Sequence, residues 1–168
     1  RVLDAVSPTE GEHFDPEQFI RSRGTLYLLA TGAGAGNSAA LVAAFVEDLV
    51  ETARRMAARS PGARLDPPLL LALDEIGNLA PLPSLPTLMA EGGGTGITTM
   101  PVLQSLAQAR DKWSENQAAA IWDASIAKII LGGASNSRDL QDLSTLIGER
   151  DEFTDSFTFG DYGSRSNQ

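Results

Sequence analysis

No cysteine occurs among the 168 residues. Disulfides and zinc sites built on Cys are therefore excluded, and a reducing cytoplasmic setting is natural. Histidine is almost as scarce. The one copy, His13, lies in a polar N-terminal stretch and reads as a surface residue rather than a ligand or a base, because metal and catalytic sites need partners. No apolar run approaches the roughly 18 residues of a membrane span, and no signal peptide is visible. Basic residues are also few: 13 Lys and Arg stand against 22 Asp and Glu, a formal net charge of -9. Such a chain makes a poor stand-alone grip on nucleic acid, since phosphate contacts need clustered cations. The densest basic cluster, "ARRMAAR" at 53–59, carries Arg54, Arg55 and Arg59 and reads as a solvated helix face rather than a DNA patch. The chain opens on Arg1, not Met, and so reads as a piece of a longer protein.

Apolar residues make up 42% of the chain, enough for one domain with a real core. Residues 1–23 are a polar lead-in ending in a short helix at "DPEQFIRS", with Asp15 as cap and Pro16 at the first helical position. Residues 24–150 read as an α/β core. Residues 151–168 hold a possible last strand, with alternating Phe153, Phe157 and Phe159, and a frayed tail. Four strands are expected in the core: "GTLYLLAT" (24–31), "LLLALDE" (69–75), "ITTMPVLQ" (97–104) and "AKIILGG" (127–133). The near-continuous apolar character of the second implies a parallel sheet covered on both faces. Pro101 gives the third an edge position or a kink.

Helices alternate with these strands. A long one follows the glycine loop "GAGAGNS" (32–38), with Asn37 or Ser38 as its cap and Leu41, Val42, Phe45, Val46, Leu49 and Val50 at helical spacing. A short one starts near Ser84 and is stopped by the glycines of "AEGGGTG". One helix or a pair follows Gln104, and a capped helix is closed by Gly148. The alternation predicts an open, mainly parallel α/β sheet with flanking helices. Ligands of such sheets bind at the carboxyl ends of the strands, where Asp74, Glu75 and Gln104 all fall.

An apolar strand ending in two acids is the way the metal-binding strand of a P-loop NTPase ends. The first acid, Asp74, would hold Mg²⁺ and the second, Glu75, would polarise the attacking water. Gln104 on the next strand can sense a γ-phosphate or orient that water, because an amide donates and accepts at once. An Asp-Glu pair alone is common, and the Gln alone is a weaker signal still. The phosphate loop itself, G-x-x-x-x-G-K-[ST], is missing. "GAGAGN" lacks the lysine, and its Gly32, Gly34, Asn37 spacing also fails a dinucleotide fingerprint; it reads as a strand-to-helix turn. Trp113 and Trp122 lie nine residues apart after Gln104 and read as packing residues rather than as base-stacking platforms.

The run "LLLALDEIGNLAPLPSLPTLMAEGGGTGITTMPVLQSLAQARDKW" and the ending "DLQDLSTLIGE" resemble the C-terminal part of the TraG/TraD coupling proteins of type IV secretion and conjugation. The resemblance covers about residues 66–150, with "FDPEQFI" and "GTLYLLAT" similar to the segment before. It implies a RecA-like nucleotide-binding half-domain using ATP and Mg²⁺. It implies a homo-hexamer at the cytoplasmic face of the bacterial inner membrane that recruits a relaxase-bound DNA strand, a relaxosome or a secreted protein substrate. On it, Asp74 and Glu75 become the Walker B acids and Gln104 the amide of the next motif. The phosphate loop, the membrane anchors and an inserted helical domain would lie upstream, so this chain alone is expected to hydrolyse ATP negligibly. Many relatives carry an arginine before the glycine that precedes the Gln strand, placed to reach a neighbour's nucleotide. Here residues 91–96 hold no basic residue; Arg110, Arg138 or Arg150 would serve, or this branch lacks the finger. Two other readings stand beside the motor fragment. One is a docking module for relaxosome or effector proteins, whose acidic surface favours a basic partner. The other is an unrelated dinucleotide enzyme.

Overall fold

The computed structural model describes residues 13–29, 35–131 and 137–148. The chain divides into two compact units, Arg1–Ile130 and Leu131–Gln168.

The first unit begins with helix α1 (Pro16–Ser22). The Asp15 carboxylate accepts from the N–H groups of Glu17 and Gln18, and Pro16 occupies the first turn, as its sequence demands. The long helix α2 (Ala35–Ala58) starts earlier than expected, so Asn37 and Ser38 lie inside it rather than at its cap. Strand β1 (Leu69–Leu73) follows, then a one-turn helix α3 (Ile76–Leu79), helix α4 (Leu85–Thr95) and strand β2 (Ile97–Pro101). Two helices close the unit, α5 (Leu106–Trp113) and α6 (Glu115–Ala124). They are separated at Ser114, whose φ of 77° breaks the run. In the second unit, helix α7 (Ser137–Ile147) ends as expected at Gly148, where φ is 77° and the N–H reaches Ser144 O.

β1 and β2 pair in parallel, Leu69 opposite Ile97 through Leu73 opposite Pro101. One more bond, Val102 N–H to Leu73 O at 2.9 Å, carries the ladder past Pro101 to the strand ends. Proline fits there because it sits at the last position of β2. Leu71 and Ile97 face the core, together with Val46, Val50 and Ala53 of α2 and Leu85 and Leu88 of α4. Burying each large aliphatic side chain contributes about 1.5–3 kcal/mol. The opposite face is not covered among the described residues: Leu70 is 60% and Met100 48% exposed. The expectation of a sheet buried on both faces is therefore met on one face only. Leu70, within the apolar run 69–73, carries part of the apolarity that suggested the second.

Among the described residues, two of the four expected core strands form. Residues 24–29 have no regular secondary structure and no ladder partner among the described residues, and Leu29 is 93% exposed. Residues 127–131 likewise have no ladder partner among the described residues, and Ile129 is 83% exposed. A strand needs a neighbour's N–H and C=O groups, and among the described residues neither segment has one beside it; β-propensity alone supplies none. The possible last strand within 151–168, and residues 30–31 and 132–133 of the expected strands, lie outside the described residues.

"AEGGGTG" is also corrected. The glycine stop falls at the last glycine of the segment and not the first: the helix runs through Gly92, Gly93 and Gly94 to Thr95 and ends at Gly96, φ 79°. Gly92 is needed for the tight return into β2, since a Cβ there would stand 2.5 Å from Ile97 O. The end of α4 gains a cation, Arg64, whose Nη1 donates to Gly93 O at 2.5 Å. Its start is fixed from α2, where the Glu47 carboxylate accepts from Ser84 N–H at 3.2 Å.

Candidate functional site

The parallel register brings the ends of β1 and β2 level, so the segments leaving them run side by side. After Leu73 come Asp74 and Glu75; after Pro101 come Val102, Leu103 and Gln104. Gln104 Nε2 donates to Glu75 Oε1 at 3.1 Å, although 29 residues separate them in sequence. Glu75 and Gln104 are thus in direct contact, as their shared position at strand ends suggested. Asp74 is adjacent in the chain and exposed, as is Glu75.

Glu75 adopts a left-handed backbone, φ 48° and ψ 33°, at the head of α3. Its carbonyl accepts from Asn78 and Leu79 N–H at 2.8 and 3.0 Å, which starts that helix directly from the strand. A non-glycine residue in this region costs about 1–2 kcal/mol. Because the strain falls on a charged, exposed side chain and not on a buried one, stability alone does not account for a glutamate here. Glu75→Gly is accordingly expected to raise the unfolding free energy by about 0.5–1 kcal/mol in urea titration. A loss of more than about 1 kcal/mol would show that the glutamate is retained for stability.

The two acids offer hard oxygen ligands. Such a pair fits Mg²⁺, which commonly takes one or two carboxylates and completes its octahedron with water and substrate phosphate. A full protein cage is not present: no group of three or more His, Cys, Asp or Glu among the described residues could hold a metal. His13 is exposed.

Two residues that sequence reasoning passed over belong to this site. Gln108 and Asn78 join in a hydrogen bond of 2.8 Å beside the Glu75–Gln104 contact. The signal available was the second glutamine of "Q-S-L-A-Q", one helical turn after the first. The tryptophans behave as packing residues. Trp113 is buried and its Nε1 donates to Leu82 O at 2.7 Å, while Trp122 is half-buried with Lys128 Nζ 5.1 Å from its ring centre. Of the arginines considered for a trans role, Arg110 forms an ion pair with Glu115 at 3.5 Å. The side chain of Arg138 and all of Arg150 lie outside the described residues. Arg55 is exposed on α2 and Arg59 is exposed in the turn just after it, whereas Arg54 is half-buried, so the cluster is a solvated helix face only in part.

The described unit is a two-stranded parallel α/β sheet with flanking helices, and Asp74, Glu75 and Gln104 follow its strand ends. The sequence narrows the class. Residues 68–168 match the family described as the TraM recognition site of TraD and TraG. The match spans more than half of the chain, and the chain belongs to that family. The suspected relationship to the C-terminal region of conjugative coupling proteins is thereby shown, and with it a role in recognising TraM, a component of the relaxosome. No curated protein and no solved structure matches the chain. Among the described residues, no helix is long and apolar enough to cross a membrane.

Proposed function

We propose that this chain is the Walker B half of the RecA-like ATPase domain of a conjugative coupling protein, joined to its relaxosome-recognition region. The observation that carries the reading is the Gln104–Glu75 hydrogen bond at the ends of two adjacent parallel strands. Asp74 is the carboxylate that would hold Mg²⁺ on bound ATP, which neutralises charge on the phosphates. Glu75 accepts a proton-bearing group on its free oxygen and polarises a water. Gln104, whose Nε2 already donates to Glu75, keeps its Oε1 available to orient that water. The uncovered apolar face around Leu70 and Met100, and the unpaired apolar segments 24–29 and 127–131, support the reading that further strands complete the sheet. The assembled protein is a hexamer at the cytoplasmic face of the inner membrane, anchored outside this chain, and moves DNA with its relaxosome or a protein substrate.

The family match favours a second role in the same chain, docking of TraM without chemistry. The two roles separate in one experiment. Calorimetric titration of this chain with the cognate TraM is expected to give the same affinity for the parent and for Glu75→Gln, with or without Mg-ATP. The chain alone is expected to turn over ATP no faster than background, because two acids and a metal cannot hold a triphosphate in line without phosphate-loop donors. Turnover above background that disappears in Glu75→Gln would overturn the division of labour.

A further inference from the structure

Gln104 is held at two points. Its side chain meets Glu75, and its backbone N–H donates to Gln108 Oε1 at 3.1 Å, one turn into α5. A backbone N–H can only donate, so the Gln108 atom facing it is the oxygen. The amide nitrogen of Gln108 then faces α3, where Nε2 donates to Asn78 Oδ1 at 2.8 Å. Gln108 thus uses its acceptor on one strand-end segment and its donor on the other. Its own backbone N–H donates to Ser105 Oγ at 3.1 Å, which fixes the first turn of α5. The side chain lies flat on buried Gly77, where a Cβ would stand 2.9 Å from Gln108 Cδ. Every rotatable part of Gln108 is therefore fixed by a neighbour.

We propose that Gln108 is the positioning residue of the Glu75–Gln104 pair, clamping the segment after β2 onto α3 through Asn78 and Gly77 so that the Gln104 amide is presented to the glutamate. The two bonds Gln104–Glu75 and Gln108–Asn78 form successive rungs between the same two segments. Removing the second leaves the first attached only through an exposed, rotatable side chain, whose lone hydrogen bond competes with water. This inference rests on the reading of Glu75 and Gln104 as the water-handling pair, but its geometry can be tested without turnover.

Two variants of the chain separate positioning from bulk. Gln108→Leu keeps the size and removes both hydrogen-bonding groups. Gln108→Glu keeps two acceptors, which can take the Gln104 N–H and, after a flip of its amide, Asn78 Nδ2. Amide hydrogen exchange by NMR is expected to show the Gln104 backbone N–H exchanging at least about 10-fold faster in Gln108→Leu, the equivalent of about 1.4 kcal/mol. The Val102 N–H, bonded to Leu73 O in the ladder, should keep its rate, and Gln108→Glu should keep both. In the full-length protein, Gln108→Leu is expected to lower kcat for ATP at least about 10-fold with KM changed less than about threefold, and Gln108→Glu to recover most of it. Should Gln108→Leu fail to fold, Asn78→Ala at an exposed position removes the same rung and is expected to speed Gln104 exchange similarly. Unchanged Gln104 exchange, or an equal rise at Val102, overturns the proposal. If exchange responds as expected but Glu75→Gln leaves turnover intact, the clamp stands and the catalytic reading of the pair falls.

Discussion

Glu75→Gln in the full-length protein is expected to lower ATP turnover, and with it plasmid transfer, by about 100-fold or more. The size of the effect follows from how little else the substitution changes. Glutamine has the length of glutamate, and its Oε1 can still accept from Gln104 Nε2 across the 3.1 Å contact. The side chain is exposed, so no buried packing is disturbed. The left-handed backbone is kept, with its strain, because both residues carry a Cβ. What disappears is one negative charge and the ability to take a proton, which is the part the proposed chemistry uses. Stability by urea titration should stay within about 0.5 kcal/mol of the parent. Turnover within threefold of the parent would remove Glu75 from the catalytic set. Glu75→Gly is the informative companion: it also abolishes the carboxylate, yet is expected to stabilise the fold. Opposite signs on activity and stability at one position mark a residue kept for function at a cost in folding.

Trp113→Ala is expected to cost about 3–5 kcal/mol of stability, among the largest losses available to a single substitution in this chain. The indole is buried at the end of α5, in a core shared with Leu82, Leu85 and Leu88. Its Nε1 satisfies the carbonyl of Leu82, in the Pro-rich connection before α4. One side chain therefore fills volume and ties that connection, which has no ladder of its own, to the helical layer. Trp113→Phe separates the two contributions. It retains most of the apolar volume and leaves the Leu82 carbonyl with only its 3.2 Å bond from Leu85 N–H, for an expected loss of about 0.5–1.5 kcal/mol. Trp122→Ala should cost clearly less, since that ring is half-buried and its cation contact with Lys128 is at a partly exposed site. A Trp113→Ala loss below about 1 kcal/mol in chemical denaturation would contradict the packing role and reopen a surface function for the ring.

The local grammar of the chain was legible. Asp15 and Pro16 start α1 as capping chemistry dictates, Gly96 and Gly148 end α4 and α7 in left-handed turns, and the apolar runs at 69–73 and 97–101 become parallel strands. The errors share a cause. The segments 24–29 and 127–131 have the composition of strands and no ladder among the described residues, because a strand is a relation between two segments and composition describes only one. Gly92 to Gly94 looked like a stop and are helical; at Gly92 the close approach of Ile97 O requires the missing side chain, which no local pattern shows.

By itself the sequence determined the chemistry on offer: no thiol, one histidine, two adjacent acids and an amide each at the end of an apolar run, and a family signature now matched over residues 68–168. These follow from residue identity and short-range periodicity, which the chain carries in one dimension. Only the tertiary structure decided that Glu75 and Gln104 touch, that Glu75 sits in a strained left-handed turn, and that Gln108 and Asn78 form the second rung beside them. Register, turn conformation and side-chain direction set those contacts across 29 and 30 residues of intervening chain, and no local pattern encodes them.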